Sequence, residues 1–398
     1  MIYISLPILN ESYNLPALLN CLKDQEATDF ELIVCVNNYN SWWDDFEKKK
    51  QCIDNQSSLT ILENENRFKV TVIDKCLPGK GWSPKKGGVG HARKTAMDYI
   101  STIANDDDLI ISIDADTFYP PDYLTGIAKA LNNKSLIGIA APYYHKLNSE
   151  NDKLILRYEI YMRYYLLNML RINNPYAFTA LGSAMVFPVW AYRKVGGLTP
   201  VKSGEDFYFL QKLIKSGNLG IWSDTVAYPS PRFSDRVDFG TGPALIKGKG
   251  GDWDSYPIYD YRLFDLIRDT FGKFPLLFLG EVKTPMDEFL EMQFKTKDLW
   301  MPLRNNYKDE KNFVKACINK VDGLRILQFL KIKTQESHID NSRTLVEYIK
   351  QFLHKSADNE ILQILDGFSF STSTVKELNI IRDFLFNEEM KIRKIKTR

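Results

Sequence analysis

Asp114 and Asp116 stand one residue apart at the end of an apolar run, LIISIDAD from Leu109 to Asp116. The run reads as a strand buried inside a parallel sheet. Side chains alternate along a strand, so the two carboxylates share a face while Ala115 turns away. Paired carboxylates at the carboxyl edge of such a strand suit a hard divalent cation, which completes its shell with substrate phosphates. Ligands of open α/β sheets bind at that edge. Metal or phosphate chemistry is one expectation. The plainer one is that an aspartate opens a turn ahead of Pro120-Pro121.

Four further segments bear polar groups suited to a cleft. Ser203-Gly204-Glu205-Asp206 precedes the helical pattern FYFLQKLI. Serine followed three residues later by an acid is a capping-box pattern. A carboxylate there is also held ionised by the helix dipole, and facing a cleft it would serve as a general base. PILNE, from Pro7 to Glu11, places Asn10 and Glu11 after the first strand. NNYNS, from Asn37 to Ser41, follows the second; its amides and hydroxyls suit a nucleobase and ribose, or ordinary turns. GKGWSPKKGGVGHARK, from Gly79 to Lys94, is a basic glycine-rich loop entering a helix. Lys80, Lys85, Lys86 and Arg93 would neutralise a diphosphate there, with backbone N–H groups at the helix start; a solvated loop is the alternative. The segment is not a Walker loop, because Arg93 stands where glycine would precede Lys94 and Thr95.

The elements that must position these groups alternate. Ile2–Pro7, Phe30–Val36, Lys69–Ile73 and Leu109–Ile113 read as strands; Leu15–Lys23 and Gly90–Ala104 read as helices. That order predicts a mostly parallel sheet with helices on both faces. Ser135–Ala141, Phe178–Pro188 and Ile221–Ala227 read as further strands, Lys153–Ile172 and Ser203–Lys215 as helices. KGKGGD at 247–252 marks a linker or mobile loop. Helical periodicity dominates beyond it, at 311–331, 342–354 and 374–394. The expected division is an α/β domain over 1–250 and a mainly helical region over 251–398.

With 398 residues and a formal charge of +2, the chain gives no global electrostatic reason to bind nucleic acid. Five scattered cysteines form no CxxC pair, which suggests neither zinc nor disulfides and fits a reducing, cytoplasmic compartment. The first residues lack a signal-peptide pattern, and no apolar run approaches the roughly 20 residues of a membrane span. The basic end MKIRKIKTR reads first as a solvated, frayed helix, with a peripheral contact to the cytoplasmic membrane face as the alternative. Histidines 91, 145, 338 and 354 lack ligand spacing. Trp82, Trp190 and Trp222 lie near the cleft segments in sequence, though core packing accounts for most tryptophans.

In order and content the set PILNE, NNYNS, GGVGHARK, DAD and GED resembles the family-2 glycosyltransferases, over roughly residues 1–245. The resemblance implies a GT-A fold: a Rossmann-like, mostly parallel α/β sheet with a helical C-terminal region. It implies an inverting transfer from a nucleotide-sugar donor, a UDP-sugar foremost, to a hydroxyl of a glycan, lipid-linked or other acceptor, with Mn2+ or Mg2+. By position, Pro7, Asn10, Glu11 and Asn38 would lie near base and ribose. Lys86, Arg93 and Arg236 would serve the donor, Asp114 the ribose or metal, Asp116 the metal, and Asp206 would be the base. Two departures stand out. Asn37 and Asn38 occupy a motif where the family commonly has aspartate, and SPRFSDRVDFGTG at 230–242 replaces QxxRW, with Arg232 and Arg236 as diphosphate contacts. A nucleotidyltransferase and a non-catalytic nucleotide-sugar or glycan-binding domain are the rival readings. The first would carry a glycine-rich loop after its first strand, which PILNESYNLP is not. Donor identity, acceptor and oligomeric state are not encoded in these motifs.

Overall fold

The computed structural model describes residues 1–147, 151–234, 238, 240–337 and 339–397. Its contacts gather into two units. One comprises Met1–Ile155, Thr179–Gly251 and Arg393–Arg398; the other comprises Leu156–Phe178 and Asp252–Ile392. The expected boundary near residue 250 is therefore one of several crossings of the chain between units.

The first unit is a sheet unit. In chain order its elements are β1 (Ile2–Ile8), α1 (Leu15–Lys23), β2 (Phe30–Asn37), α2 (Lys49–Glu63), β3 (Lys69–Lys75), α3 (Val89–Ile103) and β4 (Leu109–Ser112). Then follow β5 (Thr117–Phe118), α4 (Tyr123–Ala130), β6 (Leu136–Ala140), the start of α5 (Asp152–Arg171), β7 (Met185–Pro188) and α6 (Val189–Lys194). α7 (Glu205–Ser216), β8 (Asn218–Gly220), β9 (Tyr228–Pro229) and α8 (Thr241–Lys249) complete it.

Seven strands form one sheet in the order β3-β2-β1-β4-β7-β6-β8. The β1–β2, β2–β3, β1–β4 and β6–β8 pairs are parallel, while β7 runs antiparallel to β4 and β6. The chain winds outward from β1 to β3 and then returns to β4 on the other side of β1. That reversal makes the carboxyl ends of β1 and β4 a topological switch point, the place where open α/β sheets bind ligands. β1, β2 and β4 consist almost wholly of buried residues, as strands covered on both faces require. Pro7 follows the last β1–β4 pair, Ser5↔Ser112, so its missing N–H breaks no rung on that side.

Three elements differ from the sequence reading. The alternating stretch 221–227 is not a strand; the edge strand is β8, and only Ala227 bridges, to Tyr143. The first half of KGKGGD completes α8, with Gly248 buried, and the chain passes to the second unit after Gly251. Of Phe178–Pro188 only β7 is strand, preceded by a 3-10 turn at Gly182–Ala184.

The second unit is helical. Besides most of α5 it holds α9 (Tyr261–Gly272), α10 (Phe274–Leu279), α11 (Asp287–Phe294), α12 (Met301–Asn306), α13 (Glu310–Lys320), α14 (Gly323–Gln335), α15 (Asn341–Tyr348), α16 (Asn359–Asp366) and most of α17 (Val375–Thr397). The expected long helix at 311–331 is broken between α13 and α14, where Asp322 caps α14 by accepting the Arg325 N–H. Aromatic rings fill the core around Tyr164, whose hydroxyl donates to the Tyr259 carbonyl at 2.6 Å. Arg163 bridges Glu159 and Glu389, and Arg382 joins Glu159 at 3.2 Å. All four are buried, so each charge depends on its partners. No helix among the described residues is long and apolar enough to cross a membrane.

Candidate active site

A buried arginine ties two of the expected motifs together. Arg93, in the first turns of α3, is 2% exposed. Its Nε donates to Glu205 at 3.1 Å, its Nη1 to Ser112 and the Gly182 carbonyl, and its Nη2 to Asp114 at 2.9 Å. Acceptors from three separated segments therefore meet on one guanidinium, whose fork geometry suits several acceptors at once. The approach depends on two glycines. A Cβ on Gly182 would lie 2.5 Å from Arg93 Nη2, and one on Gly90 would lie 2.4 Å from the Val201 carbonyl oxygen. Gly90 thus lets α3 close on the segment that leads into α7.

Arg93, expected on the donor side, is buried, and its Nε, Nη1 and Nη2 all donate to protein groups, which ties Asp114 and Glu205 to one side chain. Asp114 is further fixed by Tyr119, whose hydroxyl accepts the Asp114 N–H at 3.2 Å and donates to the Ser183 carbonyl at 2.9 Å.

Glu205 and Asp206 open α7. The expected capping box is not formed: the N-cap is Gly204, at φ 78°, and no side chain caps the helix. Glu205 is buried and directed to Arg93. Asp206 is half-buried and accepts the Phe207 N–H at 2.7 Å. Burial and the neighbouring Asp206 charge push Glu205 up to about 7 against the pull of Arg93. Burial raises Asp206 too, with Asp114 adding while the Phe207 N–H and Arg93 oppose. Asp206 and Asp114 thus lie in one electrostatic field.

A second arginine ties the first-strand motif to the DAD motif. β5 pairs with β9 through Thr117↔Pro229, and the Ser230 N–H donates to the Asp116 carbonyl at 3.1 Å. This short ribbon carries Arg232 to the sheet edge. Its Nε lies 2.6 Å from Asp116, and its Nη2 donates to Glu11, which also accepts from Asn14 at 2.7 Å. Arg236 lies outside the described residues.

Asn55, buried in α2, is a site residue that sequence reasoning missed. Its amide donates to the Asn37 carbonyl at 2.9 Å and to Asn38 Oδ1 at 3.0 Å, while its Oδ1 accepts the Asn10 N–H at 2.9 Å. It therefore joins the ends of β1 and β2. The available signal was an asparagine inside a helix, where its side chain competes with the backbone. Asn38, expected near base and ribose, is buried, and its amide donates to the Tyr39 carbonyl at 3.0 Å. Asn10 holds a left-handed φ of 56°, leaving its side chain exposed. Asn55→Leu is expected to leave three polar groups unpaired and to cost about 1–3 kcal/mol. Thermal unfolding checks this; an unchanged Tm rejects the linking role.

The basic loop packs by close approach. The Trp82 N–H donates to the Asn38 carbonyl, the Asn40 N–H to the Trp82 carbonyl, and Trp82 Nε1 to Asn37 Oδ1. Lys80 is committed to Asp74 at 2.9 Å. Lys85 and Lys86 are exposed just before Gly87 and Gly88, where α3 begins.

The expected metal ligands fit a bound divalent cation poorly. Asp114 carries the Arg93 counter-charge, Asp116 carries that of Arg232, and no three His, Cys, Asp or Glu side chains gather as a ligand set among the described residues.

No protein-family model and no curated protein matches the chain. Among solved structures it is similar to residues 1–349 of S. aureus TarS in complex with UDP-GlcNAc: 13% identity, 98% of this chain and 92% of that chain, TM-score 0.42. It is also similar to the mannosyltransferase PcManGT from Pyrobaculum calidifontis, in complex with GDP-Man and Mn2+: 11% identity, 98% and 86%, TM-score 0.41.

Proposed function

We propose that the sheet unit transfers a glycosyl group from a nucleoside-diphosphate sugar to an acceptor hydroxyl, with inversion. The observation that carries this reading is the Arg93 cluster. It brings Asp114, at the β4 switch point, into the same buried charge network as the start of α7, where Asp206 stands. A donor-side carboxylate and a candidate base thus share one crevice. The ends of β1 and β2, with the exposed Asn10 side chain, stand beside it on the side assigned to the nucleobase and ribose. Lys85, Lys86 and Arg232 offer positive charge to a diphosphate.

In this scheme Asp206 accepts the proton of the attacking hydroxyl as its oxygen bonds to the anomeric carbon. The bond from that carbon to the diphosphate oxygen breaks on the opposite face. A single displacement inverts the anomeric centre, and the departing charge is met by fixed cationic side chains. The acceptor supplies a hydroxyl, from a glycan, a lipid-linked or another compound.

A panel of nucleotide-sugars tests the reaction type. Release of nucleoside diphosphate is expected from one or more donors. Release of pyrophosphate from a sugar phosphate and nucleoside triphosphate would favour a nucleotidyltransferase instead. Absence of either reaction would leave the non-catalytic binding domain as the better reading.

A further inference from the structure

We propose that Arg232, rather than a divalent cation, supplies the positive charge at Asp116 that receives the donor diphosphate, so that donor binding needs no metal. This rests on the transferase reading above and assigns a diphosphate-binding residue within it.

The placement of Arg232 is built rather than incidental. The β5–β9 ribbon fixes the strand ends, the Ser230 N–H anchors the segment to the Asp116 carbonyl, and the Arg232 N–H turns back onto the Ser230 carbonyl at 3.0 Å. The guanidinium then spans two carboxylates that belong to different motifs, Glu11 after β1 and Asp116 after β4. Glu11 is 5% and Asp116 20% exposed in their side chains, so both are partly or wholly removed from water and depend on this counter-charge.

A divalent cation on Asp116 would have to displace Arg232 or bind directly against a fixed positive charge. Displacement would strip the nearly buried Glu11 of its guanidinium as well. Asp114 is the poorer alternative, because its Oδ1 is held by Arg93, itself engaged by Ser112, Gly182 and Glu205. Each aspartate of the DAD motif therefore already faces an arginine that the fold delivers.

Arg232 keeps capacity for an anion. Its Nε and Nη2 face carboxylates, whereas Nη1 has no protein partner among the described residues, and the side chain is 30% exposed. A guanidinium presents donors in a plane that matches phosphate oxygens. Held by two carboxylates, it meets the diphosphate with little orientational freedom left to lose.

The test is titration calorimetry of the full chain with UDP and with GDP, in EDTA and in Mn2+, with Mn2+ alone followed by electron paramagnetic resonance. At least one nucleoside diphosphate is expected to bind equally well in EDTA and in Mn2+, and Mn2+ alone to show no binding. Arg232→Gln should weaken that binding by about tenfold or more, and Arg232→Lys should restore part of it, since a point charge replaces the fork. Thermal melting of both variants separates this from unfolding. Binding that requires Mn2+ and is indifferent to Arg232→Gln would overturn the inference while leaving the donor site standing. Failure of both nucleotides to bind in either condition would remove the donor reading and this inference with it.

Discussion

Replacing Asp206 with asparagine is expected to lower the transfer rate by about 10²–10⁴-fold while leaving nucleoside-diphosphate binding nearly unchanged. The change keeps the size of the side chain and removes only its basicity. Stability should not fall, because burial already disfavours the charged form of Asp206. The variant should therefore melt at or above the wild-type temperature, which separates lost chemistry from lost folding. The pH profile gives a second readout. A general base works only when ionised, so its contribution is full above its pKa and fades as pH falls through it. Burial, with Asp114 adding, lifts that pKa above the ordinary 3.8 of an aspartate. The acid limb of kcat should accordingly lie higher than a free aspartate would place it, and the residual rate of the variant should lack that limb. Normal turnover in the variant, or the same acid limb in both proteins, would exclude Asp206 as the base.

The frame of the site was legible in the sequence because its strands are buried on both faces. β1, β2 and β4 are unbroken apolar runs that end in polar residues, so run and terminus mark both strand and crevice. α1 was equally plain, with Leu15, Leu18, Leu19 and Leu22 on one face. α2 was not, because its apolar residues follow no strong periodicity and its inward face includes Asn55 and Ser58. The segment 221–227 alternates yet forms no strand, since alternation records which side chains are buried and not whether a neighbouring strand is present.

Residue roles were harder to read than residue positions. Arg93 and Asp114 lie 21 residues apart, but the partners that decide the role of Arg93 are 89 and 112 residues away, at Gly182 and Glu205. A basic residue at a helix start looks the same in sequence whether it faces a phosphate or is buried beneath the site. Asn38 shows the same limit: its amide type suited ribose, and only the packing shows it bonded to Asn55. Ser203 had the spacing of a cap, yet the left-handed Gly204 took the cap position.

Arg93→Met is expected to be the most damaging single change to the sheet unit. It removes the counter-charge from buried Glu205 and from Asp114, and leaves Ser112 and the Gly182 carbonyl without their donor. Breaking a buried ion pair from one side costs about 3–5 kcal/mol, which for a unit of this size lowers Tm by roughly 10 °C. The loss should depend on pH in a defined direction. Glu205 is already raised from 4.5 to about 7 in the folded protein, and without Arg93 it rises further. A carboxyl raised by folding favours the fold when protonated and opposes it when ionised. The gap in Tm between wild type and variant should therefore be widest above pH 7 and shrink as the pH is lowered toward 5. Adding Glu205→Gln removes the buried charge itself and should recover much of the lost stability near neutral pH. Activity should not return with it, because Asp114 still lacks the group that fixes its direction. If Arg93→Met melts like wild type at every pH, Arg93 is not the strut between the two motifs. If the double variant regains transfer as well as stability, the cluster serves folding alone, and the two halves of the site are aligned by the backbones of β4 and α7 instead.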